Sequence, residues 1–144
     1  MEITTRKFGK IEIDEMKIVT MPEGLPGFPD FDRFVLLEDE KIAPFSWLQS
    51  VEEPDLALVI MNPLLFKPDY EMNGLEDFIV ARGWENTMVS DLLIYVVVNI
   101  SQGEKEQKIT ANLMGPLIIN SKNNEAVQVV ISDSSYSHQH NVLE

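Results

Sequence analysis

No cysteine occurs anywhere in the chain. That excludes disulfide staples, thiolate zinc sites and a cysteine nucleophile, and it suits a reducing compartment. Histidine is nearly as scarce. His138 and His140 are the two present, and their i, i+2 spacing near the end of the chain brings no third ligand, so they read as tail residues. Long apolar runs are missing too: nothing approaches the roughly 18 residues of a membrane span. The first residues, Met-Glu-Ile-Thr-Thr-Arg-Lys, lack the apolar core of a leader. The expectation is a cytoplasmic protein without a membrane anchor. A phosphate-cradling loop is absent as well, since Gly24-Leu25-Pro26-Gly27 is stiffened by proline and no helix of useful length follows it. No serine pairs with a histidine inside a folded stretch, so a hydrolytic triad is not expected. With this many carboxylates chance acid pairs must occur, so none is assigned as acid and base. The reading is therefore no enzyme, no cofactor and no metal.

Basic residues are the next shortage. Lys and Arg total 11 against 24 Asp and Glu, a net charge of −13. The excess is local: residues 1–22 balance, residues 23–91 carry −11, and residues 92–144 carry −2. Phosphate contacts need Lys and Arg, so direct nucleic-acid binding is not expected. A basic protein, steered by the negative field, is the partner this charge favours. The plainer reading is that the charge maintains solubility.

What is present is a series of short extended segments. Residues 2–8 and 11–13 read as a hairpin joined at Gly9-Lys10, and 17–21 as a third strand. Residues 22–29 hold three prolines and two glycines and make a stiff loop whose Leu25 and Phe28 fold back over the core. Asp30 caps a single helical turn over 30–33 in this reading. Strands are expected at 34–37, at 44–50 (where Phe45 and Trp47 alternate with Ser46) and at 56–61. Leu75, Phe78 and Ile79 share a face at i, i+3, i+4, predicting a short helix over 75–81 that Gly83 stops. The run from Asp91 to Ile100 is the strongest strand, without alternation, and is placed at the centre, buried on both faces. Residues 105–113 return antiparallel to it after a turn at 102–104, and 126–131 form the last strand. The fold class is mainly β: a small antiparallel β-barrel-like domain with one or two short helices, covering residues 1–132. Residues 133–144 read as a flexible polar tail.

The segment Asn112-Leu113-Met114-Gly115-Pro116-Leu117-Ile118-Ile119-Asn120 organises the rest. Leu117-Ile118-Ile119 is too short for a helix and too apolar for a loop, so it reads as a buried strand. Gly115-Pro116 ahead of it marks a bend or bulge where the chain passes from one sheet partner to another, because proline has no N–H for a ladder. Asn112 and Asn120 bracket the corner, and their carboxamides are suited to holding backbone groups the bend leaves unpaired. Phe66 and Tyr70 flank Pro68 in an acidic, irregular stretch. They are candidate interface anchors, or else they cap one end of the barrel.

Three motifs in order, Gly24-Leu25-Pro26-Gly27-Phe28, Pro44-Phe45-Ser46-Trp47-Leu48-Gln49-Ser50 and the Asn112 to Asn120 segment, resemble the flagellar assembly factor FliW family, and the likeness runs from the first strand to about Ile131. Met114-Gly115 stands where the family is expected to place a small residue before the proline, and Tyr136 is followed by Ser137 and His138 rather than a basic residue. Gly24, Pro26, Gly27, Trp47, Asn112, Gly115, Pro116 and Asn120 are the motif positions. The resemblance implies a non-enzymatic regulator that binds the small basic RNA-binding repressor CsrA away from its RNA site and stops it repressing flagellin translation. It also implies that flagellin competes for the same protein, so that synthesis follows export. Glu38, Asp39, Glu40, Glu52, Glu53 and Asp55 are then the candidate residues for steering CsrA. The rival expectation is a β-barrel that binds a small ligand, or acts on one, at its mouth.

Overall fold

The computed structural model describes the chain apart from Pro26, Gly27, Pro29, Asp39, Asn73, residues 103–106, residues 132–135, His138 and residues 143–144. The β-branched and apolar segments become eleven strands: β1 (Glu2–Thr5), β2 (Gly9–Glu12), β3 (Val19–Thr20), β4 (Arg33–Glu38), β5 (Ser46–Ser50), β6 (Ala57–Met61), β7 (Leu92–Gln102), β8 (Gln107–Ala111), β9 (Leu117–Asn120), β10 (Glu125–Gln128) and β11 (His140–Asn141). One α-helix, α1 (Leu75–Arg82), lies between β6 and β7, and four 3-10 turns complete the described elements. Gly83 ends α1 as expected. It sits in the left-handed region at φ 72°, where glycine carries no Cβ penalty, and its N–H reaches the last carbonyls of the helix.

Strand pairing closes a barrel. β7, β6, β5, β4, β3, β10 and β9 pair in that order, and β9 pairs back to β7. The seam is thin at β3 and β10, which meet at one parallel partner pair, Thr20 and Glu125. That is the one parallel contact among otherwise antiparallel ladders in the described sheet. Inside the ring sit Val19, Leu25, Phe34, Leu48, Ile60 and Leu117, all buried. Three smaller apolar layers line the outside. The β1–β2 hairpin packs Ile3 and Ile13 against Val35. Helix α1 sets Ile79, followed by Trp84, on Ile118 and Val127. Tyr70, Val96, Val98 and Leu113 form the third layer, under partly buried Phe66, Tyr136 and Val142.

β9 is the strand buried on both faces, with Leu117 and Ile119 facing inward and Ile118 under the helix. β7 was expected to share that property. It is central, pairing with β6, β8 and β9, yet Leu93 and Ile100 are exposed near its ends. On its other edge β6 pairs only Val96 to Val98, so the ends of β7 have a neighbouring strand on one side alone. The turn of the first hairpin falls at residues 6–8, so Gly9 and Lys10 belong to β2 rather than to the turn. No helical turn forms over 30–33; Arg33 already opens β4.

The largest correction concerns the C-terminal segment. Instead of a flexible tail, residues 136–137 and 139–142 pack on the barrel. His140 and Asn141 pair with β8, Leu113 N–H donates to Ser137 carbonyl at 2.9 Å, and Tyr136 and Val142 join the layer around Tyr70. Two apolar side chains and one ladder edge suffice to hold a short polar segment whose composition alone reads as loose.

Candidate functional site

β8 and β9 both lie along the same edge of β7, one after the other. β8 takes Val98 to Gln102 and β9 takes Leu92 to Tyr95. Five residues, 112–116, therefore stand opposite Val96 and Val97 alone. This is the bulge that Gly115-Pro116 predicts. The shared partner does not change across it. What changes is the outer neighbour, from β11 beside β8 to β10 beside β9.

The corner's backbone is almost fully bonded, as buried main chain must be. Asn112 N–H donates to Val97 carbonyl at 3.0 Å, Ile131 N–H to Met114 carbonyl at 2.7 Å, and Val129 N–H to Pro116 carbonyl at 2.9 Å. Tyr70 hydroxyl donates to Leu113 carbonyl at 2.7 Å. Asn112 Oδ1 accepts from Met114 N–H at 3.0 Å, the anchoring role expected of it. Asn120 serves the next turn instead, with its Oδ1 accepting from Lys122 N–H at 3.0 Å and its Nδ2 donating to Thr87. Gln128, which the sequence did not single out, donates from Nε2 to Gly115 carbonyl at 2.8 Å. A Cβ on Gly115 would lie 2.9 Å from Asn112 Nδ2 and 3.0 Å from Gln128 Nε2. The glycine thus leaves room for the close approach of two amides, and a larger residue would make one of them shift.

A groove of about 700 Å³ opens on the same side of the corner. Its floor is Leu25, Leu58, Val97 and Met114, continuous with the barrel interior through Leu25 and Leu58. Asn99, Thr110, Asn112, Gln128 and Gln139 line the walls, and Phe28 and Val130 stand on the rim. Phe28, expected to fold back over the core, is instead 44% exposed. No titratable side chain is among the described residues that line the groove.

The acids expected to act together are not brought together. Glu38 ends β4 opposite Ser46, while Phe34 pairs with Ser50, so Glu38 and Glu40 lie at one end of the β4–β5 hairpin and Glu52, Glu53 and Asp55 at the other. The ladder between them is roughly 13 Å long at about 3.3 Å per residue, beyond the roughly 8–10 Å over which exposed charges interact in physiological salt. Glu52 is also committed. Its Oε1 accepts from Asp32 and Arg33 N–H at 3.4 and 3.3 Å and lies 3.7 Å from Arg33 Nε. Glu53 Oε1 accepts from Asp55 N–H at 3.2 Å. Beneath this turn Gln49, fully buried, donates from Nε2 to the carbonyls of Ser50 and Leu56 at 3.0 and 3.2 Å, with Glu53 and Pro54 carbonyls at 3.4 Å.

Of the two aromatic anchors, Phe66 is half-buried and stacks on His140 at 5.6 Å. Tyr70 is buried, 4.8 Å from the Tyr136 ring. Its phenol is pushed up to about 12 by burial and then by Tyr136. It offers no ring surface to a partner; it caps the outside of the barrel. Trp47 is half-buried beneath the β1–β2 hairpin, with Lys7 Nζ 5.2 Å over its ring and Phe8 edge-on at 6.3 Å. Gly24 is buried with φ 67° at the start of the loop. Pro26, Gly27 and Asp39 lie outside the described residues, as do His138 and the turn at 103–104.

The FliW protein family matches residues 2–142 of the chain. The chain belongs to the FliW family. Among its relatives, the flagellar assembly factor FliW of Alkaliphilus metalliredigens is 40% identical over 145 residues, covering 100% of this chain and 87% of that one. The flagellar assembly factor FliW of Treponema denticola is 38% identical over 143 residues, covering 99% and 94%. A crystal structure of the flagellar assembly factor FliW superposes with a TM-score of 0.85 at 32% identity, over 99% of this chain and 96% of that one. The mainly β, partly closed barrel is therefore a FliW-type fold. Among the described residues, no helix is long and apolar enough to cross a membrane.

Proposed function

We propose that this FliW-family protein is a cytoplasmic regulator that works by binding other proteins. One partner is the basic RNA-binding repressor CsrA, whose block on flagellin translation it relieves. The other is flagellin, which competes for it and so couples flagellin synthesis to export. The observation that carries the reading is family membership joined to a net charge of −13, with −11 of it in residues 23–91. A surface of that sign draws in a basic dimer and repels RNA. Glu38 and Glu40 at one hairpin end, and Glu53 and Asp55 at the other, steer the encounter; Asp39 and Glu52 add to the same field. Apolar surface sets the final fit.

One specific feature favours a second reading, a small-ligand or catalytic barrel: the groove at the mouth. Its described lining supplies no general acid or base, so protein binding is preferred. The test is calorimetric titration with purified CsrA and with flagellin, each at about 50 and 500 mM salt. Both proteins are expected to bind and to displace one another, with CsrA affinity falling about tenfold at the higher salt. Binding of neither protein, alongside turnover of a metabolite, would overturn the reading.

A further inference from the structure

The groove at the barrel mouth differs from the rest of the molecule in its chemistry. In a chain where 35 of 144 residues are Asp, Glu, Lys or Arg, none of the described groove-lining residues is charged. Several of its polar groups are unspent. Among the described residues the side chains of Asn99, Thr110 and Gln139 take part in no hydrogen bond, and Asn112 uses its oxygen on Met114 while its Nδ2 meets no acceptor among them. Phe28 and Val130 on the rim are 44% and 80% exposed.

We infer that this groove receives an uncharged, extended peptide segment of a protein partner. The inference rests on reading the protein as a binder of proteins, and adds to it where one partner segment docks and what that segment is made of. Charge decides the first point. Moving an ionised side chain onto an apolar floor without an opposite charge is costly, and the described walls supply none. Hydrogen-bonding type decides the second. A carboxamide both donates and accepts, as a peptide group does, so free Asn and Gln side chains complement main chain regardless of its sequence. Spacing decides the third. Asn99 and Thr110 are cross-strand partners on β7 and β8, and Thr110 and Asn112 stand two residues apart. Residues two apart on a strand repeat every ~6.8 Å, the same repeat at which an extended peptide presents its groups to one side. A compact small molecule would call for polar groups converging on a point; here Thr110 and Asn112 follow one another along the chain, Gln139 leads into β11 on the next strand out, and Gln128 extends the polar lining. The exposed Phe28 and Val130 rims are apolar area that a bound segment would cover.

The test uses random peptides of about twelve residues displayed on phage and selected on the full chain, with recovered sequences resynthesised and titrated by fluorescence polarisation. The recovered peptides are expected to carry no net charge and to bind equally, within about twofold, at 50 and 500 mM salt. Val130→Glu and Asn99→Asp place a carboxylate in the groove at exposed positions. Each should weaken binding about tenfold or more without moving the melting temperature. Leu65→Glu, exposed and outside the groove, should leave binding unchanged. Failure to recover any peptide, recovery of charged peptides with salt-sensitive binding, or indifference to both groove variants would overturn the inference. So would a small metabolite that raises the melting temperature of the wild type and not of Val130→Glu. Titrating CsrA and flagellin against the same wild-type preparation separates the two failures. If either protein binds while no peptide does, the groove assignment falls and protein binding stands. If neither binds, the broader reading falls first.

Discussion

The barrel mouth and the ends of the β4–β5 hairpin show two opposite uses of polar side chains. At the mouth, neutral polar side chains line the groove, and those of Asn99, Thr110 and Gln139 make no hydrogen bond among the described residues, over a floor that belongs to the core. At the β5–β6 turn beside one hairpin end, charged side chains face solvent while the buried amide of Gln49 spends its Nε2 on main-chain carbonyls. The difference teaches where recognition is short-ranged and where it is long-ranged. A free amide acts over a hydrogen-bond length, so the mouth discriminates only after contact. An exposed carboxylate acts over roughly a Debye length, so the hairpin ends influence approach and contribute little once contact is made.

The largest way to disturb this comparison is Gln49→Ala. Gln49 is fully buried and holds the carbonyls under the acidic turn. Removing it deletes the side-chain donor those carbonyls share, although Glu53, Pro54 and Leu56 carbonyls each keep a main-chain N–H, and it opens a cavity, a loss of about 2–4 kcal/mol in chemical unfolding. The mouth, on different strands, should keep its binding in the surviving folded fraction. If stability were unchanged, the turn would be held by its acids rather than from beneath.

Tyr70→Phe acts on the mouth side, through the corner. It deletes the donor to Leu113 carbonyl and should cost about 1–2 kcal/mol at neutral pH. Its pH signature is specific. Burial, with Tyr136 beside it, raises the folded phenol to about 12 from an ordinary 10. A raised folded value means the neutral form is favoured in the native state. The contribution is therefore complete below pH 10 and is lost as pH climbs from 10 through 12. Unfolding curves of the wild type should steepen in their pH dependence across that window, and those of Tyr70→Phe should flatten. Gly115→Ala is smaller, about 1 kcal/mol, because the two groups its Cβ meets are side-chain ends able to give way. It should lower the melting temperature before it alters any partner's affinity. Lost binding at an unchanged melting temperature would move the corner into an interface.

How much of this was legible in the sequence follows from what each feature depends on. The bulge at Gly115-Pro116, the helix stop at Gly83 and the buried run at 117–119 depend on local chemistry, and each was readable: a missing N–H, a positive φ, an apolar run of strand length. The separation of the acids was not, because it depends on register. Glu38 and Glu52 are close in the sequence, and only the pairing of Phe34 with Ser50 sends them to opposite ends. Gln49 and Gln128 were missed because the burial of an amide is decided by neighbours far along the chain. The one local hint is that alternation fails at Leu48-Gln49-Ser50, where three successive residues are buried. The folded C-terminal segment was hidden for a related reason. A two-residue strand has no periodicity to detect, and Tyr136 and Val142 are the sole apolar signals in its described part.

The finest probe of the comparison is the smallest in energy. Glu38→Gln with Glu40→Gln neutralises one hairpin end, and Glu53→Gln with Asp55→Asn neutralises the other. The Gln at position 53 keeps an acceptor for Asp55 N–H, so neither pair should change the melting temperature. If the hairpin ends steer CsrA, each pair should slow association by about two- to fivefold at low salt, with dissociation unaltered and the difference gone by about 500 mM salt. The roughly 13 Å of ladder between the ends makes the two effects multiply, since sites that far apart do not share screening charge. A change confined to one pair would place the approach on that end of the barrel. A change in dissociation rate would mean that the carboxylates touch the partner, and the division between long-range approach and short-range fit would then have to be redrawn around them.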